Sequence, residues 1–497
     1  MEKELSKHSH LSTEFEKSAD DSTRDSIRDD HAVLEKTVWW KLDLCILPVV
    51  TMFYLLSWLD RTNLGNARVA GLQKDLHMTD TQYSMALTVT FIPYIASELP
   101  SNLLLKVVGP NLLLPTLLTL WGVVTTLQGI VKTYGGLLAC RFFLGLLEGG
   151  VLPGLVLYLS FFYPRSRLQS RISVFFSSSS LAGAFSGLLA TAIVGLNGKS
   201  GHPAWAWIFI CEGLFTVGFG IVSYFILPRS PAHARFLSAS EKDYVVSTLR
   251  EDGAIGKDNK ADSFSWAEVR KTFKLPQVWL LCCVYFLNGT IVYSLGYFIP
   301  SIVQGLGYSP TRTQLMTVGP YGAAFVLTNV ASIIADRYHC RGFVTIFSCL
   351  CCEIGFAMFL GSHSKAVLYG SLFLTVGGIN CSSPALAAWV ANNVSPHVRR
   401  ATALAFLSMV TNSGGVLSTW LLGSLSKAPR YTSATITLSV FSAVMGIAVA
   451  ATLWYFWVQN KKKKAIRETT VKADEFEGLG DRSACFFNGN HVRYIES

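Results

Sequence analysis

The apolar residues of this chain fall in blocks close to 20 residues long, separated by short polar breaks. A bilayer hydrocarbon core about 30 Å thick takes about 20 residues of helix to cross. Irregular backbone cannot face lipid, because its N–H and C=O groups would lack partners. The blocks carry no alternating pattern, so they predict helices rather than strands. No amphipathic shell remains to cover such a core in water, which excludes a soluble helical protein. Composition agrees: 51% of the 497 residues are hydrophobic and 15% charged, against about a quarter charged in soluble domains.

Counting the blocks predicts an all-α membrane protein of twelve transmembrane helices in two six-helix, pseudo-symmetric halves. The helices are expected near 42–64, 83–104, 111–131, 136–160, 172–195 and 205–227, then 278–300, 317–336, 342–361, 367–391, 400–424 and 433–457. The domains follow: a disordered cytosolic tail 1–37, an amino-terminal bundle 38–227, a cytosolic linker 228–276, a carboxy-terminal bundle 277–458 and a cytosolic tail 459–497. Two prolines, Pro228 and Pro231, open the linker and stop the sixth helix. A short surface helix is expected near 240–250, followed by a mobile Gly-, Asp- and Lys-rich run over 251–263. The first 38 residues hold no apolar signal core, so the first hydrophobic helix is expected to act as its own insertion signal.

The net charge of +10 sits in tails and at helix ends, with no motif for nucleic acid. Lys106, Arg165, Arg167, Arg171, Arg337, Arg341, Arg399, Arg400 and Lys461–Lys464 fall on one side, together with the linker. The positive-inside rule then places both termini and the linker in the cytosol. The eleven cysteines lie mostly inside apolar blocks and read as small core residues. Neither a disulfide framework nor a metal site is expected.

A weak internal repeat appears at a shift of 232 positions. It aligns Pro164 and Arg167 with Pro396 and Arg399, Gln82 with Gln314, and Gly183 with Gly415. Duplicated halves of this kind are how many secondary transporters are built, with the site between them near the midplane.

Ionisable side chains inside a bilayer are costly, about 2.5–3.5 kcal/mol at a helix centre, and those retained face a cavity or one another. Arg141 and Glu148 share a face of the fourth helix, two turns apart. A guanidinium can hold a carboxylate through two parallel hydrogen bonds, and a buried carboxylate can exchange a proton as its surroundings change. Asp60 and Arg61 on the first helix offer a second such set. Structural ion pairing is the alternative for all four. The 232 shift puts Asn380 opposite Glu148, as an orienting contact or an interhelical bond. Asn288, Tyr293, Tyr321, Trp389 and Asn412 could add hydrogen bonds or an aromatic wall. Glu98, Glu212, Asp336, Arg337, Arg399 and Arg400 read as latch residues that stabilise one cavity-facing state. Gly145, Gly149, Gly150 and Gly154 give the fourth helix a smooth face for close approach.

The runs Leu59-Asp60-Arg61-Thr62-Asn63-Leu64-Gly65-Asn66-Ala67, Glu98-Leu99-Pro100-Ser101-Asn102 and Cys211-Glu212-Gly213 resemble the anion:cation symporter family of the major facilitator superfamily. So do Trp389, Asn392-Asn393 and Arg399-Arg400-Ala401. Within that family the chain is similar to fungal allantoate, nicotinate and vitamin permeases. The resemblance implies a proton-coupled carrier of a small organic anion working by alternating access, with protons as its energy source and no cofactor. In related members the Asp-Arg of the first helix and the Arg and Glu of the fourth serve proton coupling and substrate binding; here Arg141 is expected to pair the substrate carboxylate, Glu148 and Asp60 to take up and release protons, and Arg61 either to bind substrate or to balance Asp60. The family usually has a Glu two residues past the first Arg of the loop after the fourth helix; Arg165-Ser166-Arg167 has an Arg there instead. A monomer in the plasma membrane, importing a nicotinate-like monocarboxylate, vitamin or ureide, is the expectation. Proton-antiport efflux of a metabolite or toxin is the alternative. A non-transporting nutrient receptor and a membrane-embedded enzyme are more remote; no ATP-binding Gly-x-x-x-x-Gly-Lys-Ser/Thr loop is present.

Overall fold

The computed structural model describes residues 35–251, 266–338, 340–394, 397–423, 426 and 431–469. Twelve long helices run through them. The first six are α1 (Glu35–Val69), α2 (Asp80–Val108), α3 (Pro110–Gln128), α4 (Tyr134–Ser160), α5 (Arg165–Val194) and α6 (Ala204–Ile226). The second six are α7 (Pro276–Gly305), α8 (Pro310–Tyr338), α9 (Arg341–Gly361), α10 (Lys365–Asn393), α11 (His397–Gly423) and α12 (Thr432–Thr469). Ten of these are long and apolar enough to cross a membrane by composition alone. The other two, α2 and α11, are more polar and face each other across the middle of the molecule, where the Thr88 and Thr419 hydroxyls meet at 2.8 Å.

Several boundaries move from those expected. The first helix begins at Glu35 rather than 42, because Val38, Trp39, Leu42 and Ile46 are buried against the amino-terminal half. The last helix continues to Thr469; the rest of both expected tails, and the run 252–265, lie outside the described residues. The expected surface helix is present as Ala239–Glu251. Its Val245 and Leu249 are fully buried in the same apolar cluster as α1 and α4.

That linker helix and the start of α1 form a collar on one face of the molecule, here the linker face. Lys41 Nζ donates to Glu241 Oε1 at 2.6 Å. Arg171 bonds Asp43 with both Nε, at 3.0 Å, and Nη2, at 2.7 Å. Arg167, the residue that departs from the family's usual Glu, reaches Glu35 at 2.5 Å and lies over the Trp39 ring. The basic side chain at that position is therefore part of the collar.

The two halves close on each other toward the opposite face. A Cβ on Gly65 of α1 would stand 2.3 Å from the Tyr297 carbonyl oxygen of α7. One on Gly187 of α5 would stand 2.5 Å from the Thr317 hydroxyl of α8. The Gln314 amide donates to the Asn66 carbonyl at 3.1 Å. Bare backbone at these glycines lets helices of different halves touch.

Candidate functional site

Between the halves lies a narrow cavity of about 10 Å³, room for about one water. It is lined by Trp58 and Thr62 of α1, Ser179 of α5, Val292, Leu295 and Gly296 of α7, Tyr321 of α8, and Val376 and Asn380 of α10. Trp58 is stacked on Tyr293 at 5.6 Å, and the Arg61 guanidinium sits 5.5 Å from the centre of each of these two rings. A third ring, Tyr94 of α2, lies 5.0 Å away on another side. Aromatic faces attract a desolvated cation.

Arg61 joins the halves. Its Nε and Nη2 donate to Glu148 Oε1 at 2.9 and 2.8 Å. Its Nη1 donates to the Tyr293 hydroxyl at 2.6 Å, and that hydroxyl donates to Asn412 Oδ1 at 2.8 Å. Glu148 is fully buried; its Oε1 also accepts from the Ser57 hydroxyl, and its Oε2 has no partner among the described residues. Local sequence explains the placement of Glu148. It ends the first segment of α4, which breaks at Gly149 and Gly150 before resuming at Val151. A Cβ on Gly145 or Gly149 would collide with the Thr90 or Tyr94 carbonyl of α2, at 2.1 and 2.2 Å. Only this glycine face allows α4 so close to α2.

Repeat-related positions meet at this centre. Arg61 and Tyr293 are 232 apart. The same shift relates Glu148 to Asn380 and Ser180 to Asn412. The Ser180 hydroxyl donates to Asn380 Oδ1 at 3.1 Å, a second bridge between halves.

Residues 50–399 match the family model described as Major Facilitator Superfamily. The chain belongs to the major facilitator superfamily. Among the relatives of this superfamily member is the high-affinity nicotinic acid transporter of Saccharomyces cerevisiae, 31% identical over 93% of this chain and 85% of that protein. The MFS-type transporter efuF of Hormonema carpetanum is 31% identical, over 90% of each. An uncharacterized transporter of Schizosaccharomyces pombe is 33% identical, over 86% of this chain and 84% of its own length. A bacterial homolog of the human lysosomal transporter Spinster, inward-facing and unoccupied, superposes with a TM-score of 0.65 at 15% identity, over 82% of this chain and 96% of that one. These relatives and neighbours are transporters, and this superfamily member is a multi-pass membrane transporter rather than an enzyme.

The facilitator's cavity gathers some of the expected site residues and leaves others elsewhere. Arg61, Tyr293, Tyr321 and Asn380 are at the cavity or one contact from it, beside Glu148. Arg141 does not pair with Glu148: it is buried over the Phe209 ring of α6, and its Nε and Nη2 have no partner among the described residues. Asp60 turns away from Arg61, as adjacent helical residues must. Its Oδ2 accepts from the Trp121 indole at 2.6 Å and the Thr125 hydroxyl at 3.1 Å. Asn288 bonds Ser382 and Ser383 within its own half. Trp389 packs on Phe456 of α12 in the apolar core.

The expected latch residues scatter likewise. Glu98 is buried on α2, within electrostatic reach of Arg61 and beside Ser408 of α11. Glu212 is buried in the amino-terminal half, where the Asn63 amide donates to it. Arg337 is exposed at the end of α8, and Arg399 is half-buried. The side chains of Asp336 and Arg400 lie outside the described residues. Trp58, Ser57 and Ser180 were missed. Ser57-Trp58 directly precedes the quoted run, and Ser180 is the 232 counterpart of Asn412, so both signals were available.

Proposed function

We propose that this transporter imports a small organic monocarboxylate, nicotinate-like or another vitamin or ureide, together with protons, as a monomer in the plasma membrane with both termini cytosolic. One observation carries the reading: a buried guanidinium at the cavity is shared between a carboxylate of one half and a hydroxyl of the other. Arg61 offers the planar fork that a carboxylate substrate needs. Glu148 occupies that fork as an internal carboxylate. Protonating Glu148 weakens its hold and frees Arg61 for the substrate; release of substrate restores the pair and expels the proton. Substrate and proton then move together because they use the same guanidinium. Tyr293 and Asn412 pass the state of Arg61 to the second half, and Asn380 and Tyr321 wall the substrate on that side. Asp60 is a second proton acceptor. The 31% identity to a nicotinic acid transporter supports the substrate class.

The test is transport by the purified full-length protein in liposomes, with nicotinate and a panel of other carboxylates under an inward proton gradient. Uphill uptake that a protonophore abolishes is expected. Flux indifferent to the gradient, or preference for cargo without a carboxylate, overturns the reading.

A further inference from the structure

The two halves differ in what answers their basic residues on the linker face. In the amino-terminal half the collar supplies carboxylates: Glu241 for Lys41, Glu35 for Arg167 and Asp43 for Arg171. The carboxy-terminal half has few to supply. Between 276 and 469 the sequence holds three, Asp336, Glu353 and Glu468. Glu353 lies midway along α9, where it accepts from the Ser439 hydroxyl at 2.7 Å, away from the linker face.

The excess of positive charge is concentrated on one helix. The 232 shift maps Pro228, which stops α6, onto Asn460 of α12. With no proline there, α12 runs on to Thr469. It passes through Lys461–Lys464 and Arg467, with Glu468 the one acid of that stretch. A Cβ on Gly342, at the start of α9, would stand 2.4 Å from Leu453 Cδ2. Leu453 is therefore level with the linker end of the bundle, and about 24 Å of helix follow it. Like charges three and four residues apart repel along a helix, so this extension calls for a counter-charge from outside α12.

The side chains fix its depth. Trp454 and Trp457 are exposed on the outer surface of the bundle, where lipid lies. Lys461 Nζ stands 3.9 Å from the centre of the Trp457 ring. Indole rings favour the membrane–water interface, and a lysine stem lies along apolar surface with its ammonium in the headgroup layer. Lys461 and Lys462 are both exposed, and neither meets a carboxylate among the described residues.

We propose that the extension of α12 over Lys461–Lys464 is a docking site for anionic phospholipid headgroups of the linker-side leaflet, with Trp454 and Trp457 against the acyl chains. Each lysine near such a surface adds to the attraction. The leaflet supplies to this half the negative charge that the collar supplies to the other. The occupant is membrane lipid rather than free phosphate, because the lysines follow directly on tryptophans that face the bilayer. Lipid docking there is independent of what the cavity carries.

Electron spin resonance of spin-labelled lipids around the full-length protein, in phosphatidylcholine bilayers, reads the preference directly. Spin-labelled phosphatidylserine should associate several-fold more strongly than spin-labelled phosphatidylcholine. The preference should fade as salt rises from about 0.1 to 1 M, where the Debye length shrinks from about 10 to 3 Å. Replacing Lys461, Lys462, Lys463 and Lys464 together by Gln should at least halve it. Lys41→Gln, whose ammonium is already answered by Glu241, should leave it unchanged. Should the fourfold variant not fold, the pair Lys461→Gln and Lys462→Gln decides in its place, with a smaller drop. Equal association of the two lipids with wild type would mean that the lysines are answered within the protein, and would overturn the proposal. So would a preference unchanged by either variant, a preference that survives 1 M salt, or its loss on adding millimolar inorganic phosphate at constant ionic strength.

Discussion

Arg61 donates to the Tyr293 hydroxyl at 2.6 Å, and the two residues hold the same position in the two halves, 232 residues apart. Internal duplication has thus set a cation against a neutral hydrogen-bonding group at one equivalent place. Glu148 is matched in the same way by Asn380, while Ser180 and Asn412 are both neutral. Charge is kept in one half and neutral hydrogen bonding in the other. On the proposed mechanism, the amino-terminal half is the half expected to respond to protons.

Glu148→Gln removes the titrating oxygen while keeping the shape. Uphill accumulation under a proton gradient should fall to the diffusion level, while exchange of substrate across the membrane continues. Parallel gradient-driven and counterflow assays check this; full accumulation by the variant would remove Glu148 from the coupling.

Arg61→Lys keeps the charge but loses the fork. An ammonium cannot serve Glu148 and Tyr293 from fixed planar donors as the guanidinium does. A lost charge-assisted hydrogen bond is worth about 1.5–3 kcal/mol, so KM for carboxylates should rise about tenfold or more. Equilibrium binding in detergent measures it independently of turnover.

Tyr293→Phe deletes a hydroxyl that accepts from Arg61 and donates to Asn412. Both partners then stay buried without their bond. Maximal transport should drop several-fold with a smaller change in KM, because the lost link joins the halves. Separate measurement of the two constants tests the assignment.

Gly65→Ala places a methyl 2.3 Å from the Tyr297 carbonyl oxygen. Backbone cannot yield cheaply there, so the face opposite the linker should remain open. Spectroscopic distances between probes at Gly71 and Ser309 should lengthen, and net transport should fall with substrate binding intact.

The Lys41 ammonium, by donating to Glu241, holds that carboxyl below its ordinary value, and the Ser238 backbone N–H adds to this. A carboxyl lowered in the folded state stabilises above its unfolded value and loses that contribution as pH falls through the folded one. Docking of the Ala239–Glu251 helix should therefore hold at neutral pH and loosen only below the usual carboxylate range. Hydrogen exchange across that helix against pH reads this. Glu241→Gln should exchange faster at neutral pH and lose the dependence.

The helices were legible because lipid imposes its cost on composition, and the repeat was legible because landmark glycines and arginines survive at a fixed shift. Arg61 and Glu148 stood out for the same reason: charge in an apolar block is conspicuous. Which partner each charge takes was not legible. Arg141 and Glu148 share a face of α4, yet seven residues of helix span about 10 Å, far enough for the two ends of that face to meet different neighbours. Glu148 meets α1 and Arg141 meets α6, and no spacing rule within α4 distinguishes them. Glu212 was conspicuous in the same way, but that Asn63 of α1 would be its donor was not legible.

The contact of Gly65 with the Tyr297 backbone, and of Gly187 with Thr317, has a mechanical consequence. These surfaces have no teeth. Opening them asks the Gln314 amide to release the Asn66 carbonyl, a neutral hydrogen bond. Breaking that bond costs little beside the one Arg61 makes between the halves at the cavity, so the pace of the cycle should follow events around the cargo rather than a lock at the door.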